Sequence, residues 1–498
     1  MELQFEKREI QCLSPVLTQV QNLEQTQEIH LTGDNPDIAR ILGVWGQIVM
    51  RSKEWNRDCV QTSGGVMVWL LYEAGDGSGL KKADTWIPYK MDWDLPELTP
   101  EGKARLQFAL RNVDARLVSA GKVLIRAGIA MMAECWSANT VQVKKFEETS
   151  QDVQLLNRKW PLRLPKEAGE KIFEMEDQLT LPPSAPDVEE LVYYRADPEV
   201  TDKKIVGNKL VFRGKGNLHI LYRSEDGTLC NWDFEMPFSQ YAQLEASYST
   251  DACADVMMVV TRLDVEMADD GKLRLNAGLT GQYLVGDREL VETVEDAYSL
   301  NRQLQMEREE VKLPGILDSR QENLYGEQLI PIQADMIVDA SMTTDFARVR
   351  RDGDLATLEQ PGMVQILYYD ANGTLQSTSQ RWDSRLEMKA DGDTKLMAYF
   401  GPVQYQVLPG MEGQTLRTEV PVQITFSTAA GVPAVTQITL GERLEQDPGR
   451  PSLILRRATG EPVWNLAKDS GSTVAAIQKA NGLETDPVPG RMLLIPVL

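Results

Sequence analysis

A block that recurs about every 150 residues constrains this chain more than any other feature. Ile220-Leu221-Tyr222, followed by Asp226-Gly227-Thr228-Leu229, returns 146 residues later as Ile366-Leu367-Tyr368 and Asn372-Gly373-Thr374-Leu375. A third copy lies upstream, Leu70-Leu71-Tyr72 and Asp76-Gly77-Ser78-Gly79-Leu80, with one extra residue in its turn. Other anchors keep the register. Pro36-Asp37-Ile38 matches Pro186-Asp187-Val188, and Val113-Asp114 matches Leu263-Asp264, both at 150; Trp86-Ile87-Pro88-Tyr89 matches Glu235-Met236-Pro237-Phe238 at 149. Such a period is domain-sized, far above the roughly 20–50 residues of solenoids. It predicts three tandem homologous units, over 30–145, 180–288 and 325–442, with a different module over 450–498.

Inside each unit the apolar period is two. Leu218, Ile220 and Tyr222 alternate with His219 and Leu221; Thr261, Leu263, Val265 and Met267 alternate with Arg262, Asp264 and Glu266. Leu273, Leu275, Ala277 and Leu279 follow an Asp269-Asp270-Gly271 turn, and Val420, Val422, Ile424 and Phe426 follow Pro409-Gly410. One dry and one wet face per strand is the mark of antiparallel sheet. Asp-Gly and Asn-Gly supply the positive φ that tight hairpins require. The expected class is mainly β, with each unit a small antiparallel sandwich or partly closed barrel.

Between the units, Glu147–Glu176 and Arg288–Pro314 are charged and read as tethers, the second helical from about Glu289 to Val311. Gly441–Ser452 holds Pro448, Gly449 and Pro451 and reads as a linker. Beyond it the pattern becomes β-α-α-β. Leu453–Leu455 is the first strand, Gly460–Ala467 opens the first helix, and Thr473 caps a second helix over Val474–Ala480 that stops at Asn481-Gly482. Met492–Pro496 closes the module as a strand.

A formal charge of −22 makes nucleic acid and anionic lipid poor partners. Glu2, Glu6, Lys7, Arg8 and Glu9 crowd the first residues with no apolar run behind them, which predicts no secretory leader. No stretch reaches the length of a membrane span, so no membrane insertion is expected. Cys12, Cys59, Cys135, Cys230 and Cys253 are odd in number and widely spaced, as for reduced thiols in a cytosolic protein.

The C-terminal module resembles the LysM family. Gly460-Glu461, Val463-Trp464 and Leu466-Ala467 carry the first half of the motif; Asn481-Gly482-Leu483, Pro489-Gly490 and Leu494-Ile495-Pro496 carry the second. The resemblance implies helices on one face of a two-stranded sheet and an N-acetylglucosamine polymer as the usual ligand. Two departures point away from glycan. Pro462 stands where a hydroxyl residue caps the first helix, and Arg456-Arg457 replaces the usual strand pattern. Pro36–Leu42, Ile205–Gly214 and Phe234–Gln240 resemble the SPOCS domain of endospore-forming Firmicutes. Three such units and a terminal LysM are similar to the SipL-like family of spore coat and envelope morphogenetic proteins.

That resemblance implies a non-enzymatic scaffold in the mother-cell cytoplasm, at the forespore surface, without cofactor or metal. The implied partners are a coat morphogenetic ATPase of the stage IV sporulation protein A type and other coat proteins, with the LysM module making the ATPase contact. On this reading the contact edge comprises Arg456, Arg457, Glu461, Pro462, Asn465, Leu483, Glu484 and Thr485. The alternative is a peptidoglycan-binding cell-wall protein. The residues add little for catalysis. Of the two histidines, His30 lies near the start and His219 sits mid-strand, and Arg213-Gly214-Lys215-Gly216 lacks the ending of a phosphate loop. Trp464 reads as a core anchor of its small module.

Overall fold

The structure is a computed structural model, and it describes residues 2–31, 36–97, 99–119, 121–146, 152–268, 271–390, 395–410, 412–445 and 449–498. Asp269 and Asp270 of the expected turn, Glu147–Gln151 of the first expected tether and Gln446–Pro448 of the expected linker lie outside them.

The chain is mainly β and antiparallel, and one strand plan repeats three times. In the first unit, β1 (Phe5–His30) pairs along its length with β6 (Lys122–Phe146), and β5 (Gly102–Ser119) covers the first half of β6. Opposite them lies a meander of β2 (Ile38–Trp55), β3 (Cys59–Ala74) and β4 (Leu80–Asp94). In the second unit, β7 (Val153–Leu179), the meander β8 (Val188–Val206), β9 (Lys209–Ser224) and β10 (Leu229–Gln243), then β11 (Cys253–Met267) and β12 (Leu273–Ser299), take the same places. In the third unit, β13 (Arg302–Ile330) is the long strand, and two of the corresponding strands are interrupted. The meander there is β14 (Met336–Thr344), β15 (Arg348–Asp352), β16 (Leu355–Tyr369) and β17 (Leu375–Lys389). β18 (Lys395–Phe400) and β19 (Gln404–Gly410) then flank β20 (Gly413–Arg443), with the break at Gly401-Pro402, where proline offers no ladder donor.

The charged stretches expected as tethers are these long strands. Glu147–Glu176 contains most of β7, with Leu164, Ala168 and Phe173 buried. Arg288–Pro314, expected to be partly helical, is the end of β12 and the start of β13. Leu304 and Met306, then Val311 and Leu313, recur in twos on either side of a register shift at Glu307/Arg308. Gln303, Gln305, Glu307, Glu309, Glu310 and Lys312 are exposed. Pairing with β20 overrides a composition that favours helix.

Each long strand also carries a bulge after a proline: directly after Pro15 and Pro165, and between Ile316 and Asp318 following Pro314. A proline is tolerated inside a sheet at such a place. Beyond it the three long hairpins leave their sandwiches and pack together, sharing Ile10, Cys12, Val143, Leu164, Val291, Leu313 and Val432 as one small core.

The recurring sequence block is explained by burial on both faces. Leu70, Tyr72, Ile220, Tyr222 and Ile366 point into their own sandwiches, while Leu71, Leu221 and Leu367 point into a core shared by all three meanders. Bulged residues at equivalent places, Leu42, Val192 and Val338, join that core. There Trp45 stacks on Tyr193, centroids 4.6 Å apart and planes within 8°. Gly77, Gly227 and Gly373 end the blocks with φ of 78°, 83° and 73°, as their tight turns demand.

Candidate functional site

The C-terminal module forms as the sequence predicts. β21 (Leu453–Arg457) pairs with β22 (Met492–Pro496), and α1 (Val463–Ser470) and α2 (Val474–Asn481) lie between them in the chain. Thr473 Oγ1 accepts from the Ala476 amide at 3.1 Å, and Gly471 and Gly482 close the helices with left-handed φ of 62° and 58°. Val463, Leu466, Ala467, Ile477, Leu493 and Ile495 make the core. Pro462 offers no side-chain cap to α1; instead Asp486 Oδ1 accepts from the Val463 amide at 2.9 Å. That bond draws the loop after α2 against the loop before α1.

The proposed edge residues are thereby divided. Arg456 pairs with Glu461 at 2.8 Å, and Thr459 donates to the same carboxylate at 3.2 Å. Pro462, Asn465, Glu484 and Thr485 are exposed. Leu483 is half-buried against the module core, and its amide donates to the Gln478 carbonyl. Arg457 does not join them. It alternates with Arg456 along β21 and faces the opposite side of the two-stranded sheet.

Trp464 packs less as an internal anchor than as a fastener. Its ring meets Tyr298 edge-on at 4.9 Å, and its Nε1 donates to Asp296 at 2.9 Å. Lys468 Nζ donates to the same carboxylate at 2.7 Å, and Arg308 reaches it at 2.6 Å. Tyr298 completes the latch by donating to the Ser472 carbonyl at 2.8 Å. Sequence reasoning missed Asp296, Tyr298 and Arg308 because they sit in strands more than 150 residues away, with no local motif. Burial works against ionising Asp296, but the bonds from Lys468 and Trp464 prevail and hold its pKa below the ordinary value. Asp296→Ala is therefore expected to loosen the module by about 1–3 kcal/mol, since Trp464 and Lys468 lose a charged acceptor. Faster proteolysis between the third unit and the module, with unchanged melting of the body, is the expected readout.

Two further polar clusters lie between the units. Arg105, with its side chain 1% exposed, donates to Asp255 at 2.9 Å, lies 3.4 Å from Glu134 and stacks on the Tyr399 ring at 4.7 Å. Tyr399 donates to Glu134, and Lys203 approaches Asp255 at 3.4 Å. Strands of all three units thus meet at one guanidinium. In the second cluster, His219 Nδ1 lies 2.6 Å from Asp233 and its Nε2 lies 2.8 Å from Asp339. Burial opposes the imidazolium, but Asp339 and Asp233 outweigh it and pull the pKa up to about 9. Both ring nitrogens are engaged, so His219 links β9 to the third unit's β14. His30 is exposed and bonds Glu28.

All five cysteines are free thiols. Among the described residues no histidine, cysteine or carboxylate group is placed to hold a metal, and no helix is long and apolar enough to cross a membrane.

Comparison with known proteins gives one family. No curated protein and no solved structure matches the chain. Residues 187–268, which span β8 to β11 of the second unit, match the family model described as SipL, SPOCS domain, and this ties the unit to sporulation-related proteins of the SipL kind.

Proposed function

We propose that this protein is a non-enzymatic scaffold for spore coat or envelope assembly, acting in the mother cell at the forespore surface. The observation that carries this reading is the SPOCS match over residues 187–268. The repeated β units support it: two further units follow the strand plan of the matched one. On this reading the three units form a body, and the C-terminal β-α-α-β module is a LysM-like head for a coat morphogenetic ATPase of the stage IV sporulation protein A type. The charge distribution agrees with that division. Residues 450–498 carry six basic and four acidic side chains, a net of +2, and the rest of the chain carries −24. Affinity capture of the tagged full chain from sporulating mother cells tests the proposal. Enrichment of the coat-basement ATPase is the expected result, and its absence beside other coat proteins would reassign the partner.

Glycan is not the ligand on this account. The loop that would hold a sugar has Pro462 without a donor, Glu461 committed to Arg456, and Asp486 committed to a helix amide. The full chain should stay in the supernatant when purified peptidoglycan is pelleted. Sedimentation comparable to that of a wall-binding LysM protein would favour a wall role.

A further inference from the structure

The module has three faces, and two of them are occupied by their own chain. Trp464, Lys468 and Ser472 are turned onto the body, and the loop edge spends Arg456, Glu461 and Asp486 on internal bonds. The third face is the outer side of the β21–β22 sheet. Its cross-strand pairs are Leu453 with Pro496, Leu455 with Leu494, and Arg457 with Met492. Leu453 is 52% exposed, Leu455 65%, Met492 48% and Leu494 40%. A two-stranded sheet with helices on one side should be polar on the other; here the outward positions are apolar except for one arginine.

We infer that this outer face docks an acidic amphipathic helix of a protein partner. The inference rests on the proposed role of the module as a partner-binding head and names the surface it uses. Three features select the occupant. The two strands offer a strip about 17 Å long and about 10 Å wide, the width of one helix. That strip is far smaller than the roughly 800 Å² per partner of a stable dimer interface, so a second copy packed face to face is a poor fit. The charge is cationic: Arg457 stands at one end of the apolar strip and has no ion pair among the described residues, while the face presents no carboxylate. An acidic helix placed there buries its leucine-type stripe on Leu455 and Leu494 and sets its carboxylates beside Arg457. Binding energy should concentrate in the two central leucines, and Arg457 should chiefly govern association rate and salt dependence.

The test uses the full-length protein and two probes. One is the purified coat-basement ATPase. The other is a synthetic acid-rich helical peptide of about 18 residues with leucines at helical spacing. Leu455→Asp with Leu494→Asp should weaken binding of both probes about 30-fold or more. Arg457→Glu should weaken both by about 5- to 10-fold at low salt and much less at high salt. Asn465→Ala with Thr485→Ala, both exposed on the loop edge, should change little. Circular dichroism and melting confirm that each variant is folded. If wild type binds the ATPase and the double aspartate variant binds as well as wild type, the face is wrong and the head role survives. If wild type binds the peptide through this face but ignores the ATPase, the face stands and the proposed partner falls. Binding of neither probe, or a concentration-dependent dimer abolished by Leu455→Asp, overturns the inference.

Discussion

Arg105→Ala is expected to cost the folded chain about 3–5 kcal/mol, the largest effect of any single polar substitution considered. Its guanidinium is buried, and it is the shared partner of Glu134 and Asp255. Burial pushes the Asp255 pKa up, but Arg105 and Lys203 prevail and hold it below its ordinary value. Glu134 is different: burial dominates and raises it even beside Arg105. Truncation leaves two carboxylates in a dry site, with Lys203 still 3.4 Å from Asp255, and an unpaired buried charge is expensive. It also removes a group that touches β6, β11 and β18 at once. Thermal melting should show a marked fall, steeper at high pH where both carboxylates must ionise. Arg105→Met with Glu134→Gln and Asp255→Asn should recover much of the loss. A single-variant shift corresponding to less than about 1 kcal/mol would show that the cluster does not hold the units together.

His219 gives the second large effect, and it is a pH dependence. A free histidine titrates near 6.5 and the folded pKa is about 9. The folded state therefore binds the proton more tightly than the unfolded chain. That stabilisation is complete below about pH 6.5 and is lost as pH rises through about 9, on the order of 3 kcal/mol in all. Asp233, Asp339 and Tyr193 face the ring, and Arg195 is its cross-strand partner. The bond from His219 holds Asp233 below the usual carboxylate range; burial opposes the Arg195 cation but Asp197 outweighs it, so within this cluster the histidine supplies the slope. His219→Gln installs the residue found at the equivalent position Gln365 and should flatten stability between pH 6.5 and 9. An unchanged slope would move the titration elsewhere.

Much of this architecture was legible because some residues are buried twice. Leu71, Leu221 and Leu367 sit between a sandwich residue on each side, so an uninterrupted apolar triplet marks each unit. The turns that follow are equally plain, since few residues but glycine take their φ. The long strands were not legible. About a third of the β7 and β13 residues are glutamate, lysine or arginine, and their pairing partners lie more than 100 residues away at many points. Charged composition therefore read as tether or helix. The prolines that precede the bulges, Pro15, Pro165 and Pro314, are a signal that was there to be used.

The module shows the same divide. Its elements and caps follow local rules, so Thr473 and Gly482 sit where expected. Its surfaces depend on what lies across space. Adjacent Arg456 and Arg457 were expected on one contact edge, yet strand alternation sends them to opposite sides. The outward leucines could have been found from Leu453-Ile454-Leu455 and Met492–Ile495, which are apolar at every position where alternation was due. The Trp464–Asp296 latch had no sequence counterpart at all.

On the proposed function, the C-terminal module is the head through which the body meets the coat-basement ATPase. The most direct test is equilibrium binding of that ATPase to the full chain and to a chain ending at residue 445, both checked for the same melting of the β body. The account predicts saturable binding by the full chain and its loss, by about 100-fold or more, in the shortened one. Equal affinity without the module would contradict it and transfer the contact to the three β units.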